Sequence, residues 1–368
     1  MSQLEVTEEQ RRYNEIAIET ASKIHRARST STLTSTSTGR PVVDDVFPSF
    51  NKAGLGVYGE YERMGNQPVT DGLQAQADLQ GVKFEHLGLT IGTVLHNIDL
   101  KQTLSSAAIR LIRETLLERK VVFFRDQNLT EDEQVSFGRC FGELDAFPFG
   151  KSGDNPYILE INHDEKRAGA ENSWHTDVTW MEKPSLGSIA QCVVVPPFGG
   201  DTLFADSCAA YLGLPAKMQQ RLQHISGIND YRIFLMDRGG GALPEDLAEG
   251  IKKELSFGVS HPILRTHPET DKTALYLNGG FLRHESLYDS RTGETLDVEE
   301  SKEIVSFLQL QHGRPEYVCR FKWQPGSIAF WDNRAAQHYA ASDYYPHQRL
   351  LRRVTVSGDR PYYNPVNE

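Results

Sequence analysis

Cysteine is scarce in this chain, and the few present stand far apart. There are four in 368 residues: Cys140, Cys192, Cys208 and Cys319. No C-x-x-C pair occurs, which excludes a disulfide scaffold and a thiolate zinc site. Four reduced thiols in a reducing compartment are expected. Long apolar runs are also missing. None approaches the roughly 20 residues that span a bilayer, so no membrane-spanning helix is predicted. The opening stretch MSQLEVTEEQRRYNE is acidic and has no apolar centre, unlike a secretory signal. A cytoplasmic location follows as the expectation. Basic charge is the third thing lacking. Lysine and arginine number 39 against 50 acidic residues, a net charge of −11. A nucleic-acid binder needs a basic face, so the expected partner is a small molecule, with neither nucleic acid nor membrane. A local basic pocket remains compatible with this balance.

What is present reads as a globular enzyme-sized chain. Hydrophobic residues make up 39% and charged residues 24%. Residues 1–80 stand apart as an N-terminal extension. They contain the tract STSTLTSTSTG at 29–39, which cannot bury apolar surface and is expected to be mobile. Residues 81–368 form the expected domain. Ser105 to Lys120 predicts a helix, with Ile109, Ile112 and Leu116 on one face. KVVFFRDQ (120–127) predicts a buried strand. Thr130-x-x-Glu133 is a capping-box pattern that opens a second helix ending near Gly142. Further strands are predicted at 157–162, 187–195, 201–206, 261–268, 273–278, 317–323, 327–333 and 352–358, with a helix over 208–226. Short strands between Pro and Gly turns, without regular βαβ alternation, predict a mainly β fold with helical decoration. A jelly roll, the double-stranded β-helix of cupin-like proteins, fits best.

One stretch raises a chemical question: SWHTDVTW, residues 173–180. Chance placement of the histidines and acids gives one or two H-x-[DE] pairs, and the chain has three. They start at His163, His175 and His267. The first lies in NHDEKR, which reads as an exposed loop. The third contains Pro268 and reads as a strand end and turn. In an extended segment, residues i and i+2 share a side, so His175 and Asp177 converge while Trp174 and Thr176 turn away. Two ligands do not hold a catalytic metal. A facial triad of two histidines and one carboxylate needs another histidine and leaves positions open for substrate and O₂. His338 is the best donor. It follows the buried strand SIAFWDN, where a short loop can turn its side chain into a barrel mouth.

Downstream, Arg349 and Arg353 lie four apart in RLLRRVTV. With strand periodicity they share a face, and Leu350 and Val354 take the other. Interior guanidiniums are rarely left unpaired, and their fork matches a carboxylate. Their alternative is exposure to solvent or ordinary pairing with Asp and Glu.

These segments together resemble the TauD/TfdA family of Fe(II)- and 2-oxoglutarate-dependent dioxygenases, and most closely its taurine dioxygenase branch. The matching text is WHTDVTW, GGDTLFAD (199–206), RTHP (265–268) and FKWQPGSIAFWDNRAAQHYAASDYYPHQRLLRRVTVSGDRP (321–361), in order along residues 84–362. The resemblance implies a double-stranded β-helix with iron held by His175, Asp177 and His338. It implies that Arg349 and Thr202 bind the distal carboxylate of 2-oxoglutarate. Arg353 would hold the anionic group of the substrate, and Phe281 would line its pocket. Iron, 2-oxoglutarate and O₂ are thus the implied cofactor and cosubstrates. The presence of Asp177 disfavours halogenation, because related halogenases have a small residue there.

Two positions depart from the taurine pattern. Phe147 stands where taurine-using members place a histidine, and Glu171 where they place an asparagine. Phe147 adds apolar surface. Glu171, if it lines the pocket, repels an anion or attracts an ammonium; if exposed, it does neither. The expected substrate is a small molecule with one anionic group and a less polar body than taurine. Hydroxylation with release of succinate and CO₂ is the expected reaction. Alternatives on the same site are release of sulfite or sulfate from a sulfonate or alkyl sulfate, or oxidative desaturation or cyclisation of an amino or carboxylic acid. A non-catalytic cupin-like binder would lack a ligand or the anion clamp, and a zinc hydrolase gives no reason for Thr202 and Arg349. Homo-oligomerisation is common in the family.

Overall fold

A computed structural model describes residues 67–146, 155–169, 171–230 and 258–365. The Ser/Thr tract and Phe147 lie outside the described residues.

The largest sheet has eight strands. Its path runs Lys83–His86, Thr93–His96, Val121–Phe124, Ile328–Asp332, Gly187–Val194, Arg349–Val356 and Leu144–Asp145, and Leu159–His163 also pairs with Arg349–Val356. All pairings are antiparallel except that of Thr93–His96 with Val121–Phe124. A three-stranded sheet places Thr202–Asp206 between Val318–Phe321 and Ala336–Ala340.

Strand periodicity explains how the large sheet is packed. Val122, Phe124, Ile189, Ile328 and Phe330 face one apolar cluster, which Leu111, Ile112, Leu116 and Phe137 join from the helices Ser106–Arg119 and Glu131–Arg139. The alternating residues Phe123, Ala190, Cys192, Ala329 and Trp331 face another cluster, shared with Phe204, Cys319, Phe321 and Ala336 of the three-stranded sheet. The central strands are buried on both sides, which is why they read as continuous apolar runs. The functional site lies between the two sheets, where polar residues replace apolar ones.

Several expectations are met closely. The helix Ser106–Arg119 is capped by Ser105, and Thr130 with Glu133 forms a reciprocal capping box on Glu131–Arg139. Others need correction. The segment 261–268 is split between strands Val259–Pro262 and Leu264–Thr266, which belong to different sheets. The expected helix over 208–226 is two helices, Ser207–Leu212 and Ala216–Leu222. Pro215 starts the second of them, and its ring cannot continue the first. A helix at Asp71–Leu79, ahead of the expected domain start, buries Leu73 and Ala77 in the same cluster as Leu111 and Leu116. The helix Val298–His312 was not legible in the apolar pattern. Its inward set mixes Ile304, Val305 and Leu308 with Ser301, Gln311 and His312. Among the described residues, no helix is long and apolar enough to cross a membrane, and all four cysteines are free.

Candidate active site

His175 and His338 face each other across an antiparallel bridge. The His175 amide donates to the His338 carbonyl at 3.0 Å, and the His338 amide to the His175 carbonyl at 2.7 Å. Their ring centroids are 4.1 Å apart. His338 sits on the strand Ala336–Ala340, not on the loop expected from the sequence. The correction has a physical reason. This strand pairs in register with Thr202–Asp206, a partner more than a hundred residues away in sequence.

Asp177 completes the group. His175, Asp177 and His338 each offer one ligand atom, and these atoms lie within 4.8 Å of one another. Among the described residues, no other cluster of three such side chains is brought together. His175 Nδ1 donates to the Ser173 carbonyl at 2.7 Å, which leaves Nε2 as its ligand atom. His338 Nε2 is 3.9 Å from Asp177 Oδ1. Burial alone would raise the Asp177 pKa. The Arg353 guanidinium, the two imidazoles and the Ser188 hydroxyl outweigh it and hold the carboxyl well below its usual range. Burial and the neighbouring His175 push the His338 pKa down, toward the neutral form that can ligate.

The turn carrying Asp177 is clamped from several elements. Val178 has φ of 49°, a left-handed conformation that costs a β-branched residue roughly 1–3 kcal/mol. Asn278 Nδ2 donates to the Thr176 carbonyl. His261 Nε2 donates to the carbonyls of Thr179 and Met181 at 2.8 and 3.0 Å. Thr176 Oγ1 donates to the Asn333 carbonyl at 2.8 Å, so this side chain does turn away from the ligands.

The arginines share the expected face. Arg349, Leu351 and Arg353 line one cavity with Thr202, Trp323, Trp331, His175 and His338. Val354 lies on the opposite side, against Val135 and Ile158. Arg349 is 2% exposed and faces Thr202, whose Oγ1 accepts from Arg349 Nη2 at 3.1 Å and from Trp323 Nε1 at 2.9 Å. Arg349 Nε has no hydrogen-bond partner. Burial lowers the Arg349 pKa. Gly200, with φ of 71°, explains part of the GGDT motif. A Cβ there would sit 3.0 Å from Arg349 Cδ, so only glycine lets the loop pass. Arg353, by contrast, pairs with Asp177: Nη1 is 2.6 Å from Oδ1.

The remaining expected residues divide. Glu171 is half-buried and lines the same cavity, its Oε2 3.4 Å from His163 Nε2. Phe281 is buried, yet it is not part of this cavity's wall as far as the described residues form it. Phe147 lies outside the described residues. His163 corrects the sequence reading. It ends a strand, is 2% exposed, and its Nδ1 is 2.9 Å from Tyr344 Oη. The exposed charges that follow it masked this. Ser188, Asn333, Trp323 and Tyr344 were missed as well. The available signal was a polar residue in an otherwise apolar strand, as in GSIA.

This donor set fits a metal. Two imidazole nitrogens and one carboxylate oxygen converge, which suits iron in a facial triad. A buried guanidinium with an unpartnered nitrogen, beside a hydroxyl, fits the far carboxylate of a small dicarboxylate.

Comparison with known proteins agrees. The sequence model of the "Taurine catabolism dioxygenase TauD, TfdA family" matches residues 83–355. The chain belongs to this family. An alkylsulfatase of Acinetobacter baylyi is 34% identical over 294 residues, covering 77% of this chain and 87% of that protein. An alpha-ketoglutarate-dependent sulfate ester dioxygenase of Pseudomonas putida is 33% identical over 275 residues, covering 74% and 88%. The crystal structure of a putative alpha-ketoglutarate-dependent taurine dioxygenase from Burkholderia xenovorans superposes with a TM-score of 0.65 at 34% identity, over 78% of this chain and 96% of that one. This TauD/TfdA protein is therefore an Fe(II)- and 2-oxoglutarate-dependent dioxygenase, mainly β with a minority of helix, that consumes O₂ and acts on small anionic substrates.

Proposed function

We propose that the protein hydroxylates an alkyl sulfate ester at the carbon bearing the sulfate, with His175, Asp177 and His338 as iron ligands. The observation that carries this reading is the placement of Arg349 and Thr202 in the cavity that the histidines line. Two relatives named for sulfate esters, each about a third identical, favour that substrate class over a sulfonate. Hydroxylation beside the ester oxygen makes an unstable adduct that collapses to an aldehyde and sulfate.

The iron and 2-oxoglutarate supply the oxidation, with succinate and CO₂ released. The chain's residues bind and orient. His175 is fixed as an Nε2 ligand by its bond to the Ser173 carbonyl. Arg349 and Thr202 take the distal carboxylate of 2-oxoglutarate. Arg353 offers a cation for the sulfate beside Asp177. Trp323, Trp331 and Phe204 keep water from the space between them. Glu171 lines the same space and opposes a second negative charge. Phe147 and Phe281 would supply apolar surface for the alkyl body.

The two packed sheets make up a double-stranded β-helix in the domain at 81–368, and residues 1–80 are its N-terminal extension, whose helix Asp71–Leu79 packs into the domain's core. A cytoplasmic homo-oligomer, free of membrane and nucleic acid, completes the proposal; the four free thiols suit a reducing compartment.

The test is anaerobic titration of Fe(II) with 2-oxoglutarate, followed by the weak visible charge-transfer band of the chelate. The band should appear, and Arg349→Ala should lose it at moderate 2-oxoglutarate while His175→Ala loses it altogether. A panel of alkyl sulfates, sulfonates, carboxylates and amino acids, read by succinate release, should favour the sulfates. No band and no succinate with any of them would refute the proposal.

A further inference from the structure

The two oxygens of Asp177 are held differently. Oδ2 accepts a hydrogen bond from Ser188 Oγ at 2.7 Å. Oδ1 accepts from Arg353 Nη1 and lies nearest the His338 ligand nitrogen, 3.9 Å away. A carboxylate oxygen has two lone pairs, so Oδ1 keeps one direction toward the imidazoles. Oδ2 is turned to Ser188.

Ser188 is fully buried, in a strand whose next residues are Ile189 and Ala190. A hydroxyl at such a position is kept only where it is satisfied. Asn333 satisfies it. Asn333 Nδ2 donates to Ser188 Oγ at 3.2 Å and to Ser185 Oγ at 2.9 Å. Because Ser188 Oγ accepts there, its proton is directed at Asp177. The Asn333 amide is itself oriented, since Trp331 Nε1 and the Asp177 amide both donate to its Oδ1, at 2.9 and 3.4 Å. One amide therefore grips Asp177 directly through its main chain and indirectly through Ser188.

We infer that Ser188 is a positioning residue that restricts Asp177 to one-oxygen ligation of the metal. This rests on the function proposed above. Ligation through both oxygens would occupy an extra coordination position. A facial triad leaves three positions, and 2-oxoglutarate with O₂ uses all of them. A hydroxyl that holds Oδ2 back keeps the third position available. Without it, Oδ2 loses its donor in a buried site and gains most by swinging onto the metal.

The experiment uses the full chain with Ser188→Ala and Ser188→Cys, loaded anaerobically with Fe(II) and then titrated with 2-oxoglutarate. Iron affinity should hold or tighten in Ser188→Ala. The charge-transfer band should shift or weaken, and 2-oxoglutarate affinity should fall about tenfold. Ser188→Cys, a weaker donor, should fall between. Thermal unfolding reports whether each variant is folded. A folded variant that keeps the band and the 2-oxoglutarate affinity of the unsubstituted protein overturns the inference. So does a parallel loss of iron and 2-oxoglutarate affinity, which is what general loosening of the turn would give. If Ser188→Ala does not fold, Ser188→Cys decides by the same criteria. Absence of the band from the unsubstituted protein overturns the dioxygenase reading together with this one. Its presence with no change in the variants overturns this inference alone.

Discussion

Arg353 Nη1 lies 2.6 Å from Asp177 Oδ1, so the cation proposed for the substrate also touches a proposed iron ligand. Both groups are buried, at 9% and 4% exposure. The guanidinium has several donors, and its Nε has no partner. It can serve Asp177 with one edge and an incoming anion with another. Arg353→Lys keeps the charge but not the fork. Its kcat/KM for an anionic substrate should fall about 10- to 100-fold, with iron affinity little changed. Succinate formation against substrate concentration measures the first, and anaerobic iron titration the second.

The Arg349 guanidinium meets two hydroxyls, those of Thr202 and Tyr344, and lies within the field of the Glu171 carboxylate. Arg349→Ala should weaken 2-oxoglutarate binding by about 2–4 kcal/mol, leaving iron binding intact. Thr202→Val removes one hydrogen bond to a charged group and should cost about 1.5–3 kcal/mol. Titration of the charge-transfer band gives both values. Equal 2-oxoglutarate affinity in Arg349→Ala would show that the clamp lies elsewhere.

Glu171 lines the cavity beside two arginines. Its carboxylate opposes an anionic ligand there. Glu171→Gln should lower the KM for a simple alkyl sulfate severalfold, by about 1 kcal/mol at low salt, and should do so less at high salt. A KM independent of this substitution would place the carboxylate outside the substrate's field.

Behind the site, Asp332 is joined by Arg334 through two hydrogen bonds of 2.8 and 2.7 Å and by His267 at 3.0 Å. Arg334 reaches on to Glu269, which also pairs with Arg113. Burial alone would raise the Asp332 pKa, but Arg334 and His267 outweigh it and hold the carboxyl far below its ordinary 3.8. A depressed folded pKa means that this stability is present above the unfolded pKa and is lost as pH falls below it. Asp332→Asn should therefore cost about 3–5 kcal/mol at neutral pH. It should also flatten the loss of stability between about pH 4 and pH 2. Urea midpoints across that range test both.

Much of the site was legible because its parts lie in short motifs. His175 and Asp177 are two apart, and Arg349 and Arg353 are four apart on one strand, so local periodicity aligns each pair. The strand SIAFWDN was visible, but the strand Ala336–Ala340 that carries His338 was expected as a loop, because its pairing partner Thr202–Asp206 is distant in sequence. His163 was misread because its exposed neighbours dominate the local composition, although its ring is tied to Tyr344 across the sheet. The split of 208–226 turned on one residue, Pro215, whose effect on the backbone outweighed an apolar pattern that continues through it.

The sequence by itself determined which chemistry is available: the ligand types, the paired guanidiniums and the glycines that let a loop pass close to Arg349. Only the tertiary structure decided how those groups are used. It set His175 opposite His338, assigned Arg353 to Asp177 and Arg349 to Thr202, and turned one oxygen of Asp177 toward Ser188. The reason is physical. Local periodicity fixes which side of its own strand a residue faces. The register between strands distant in sequence fixes what it meets there, and that register comes from packing the whole core.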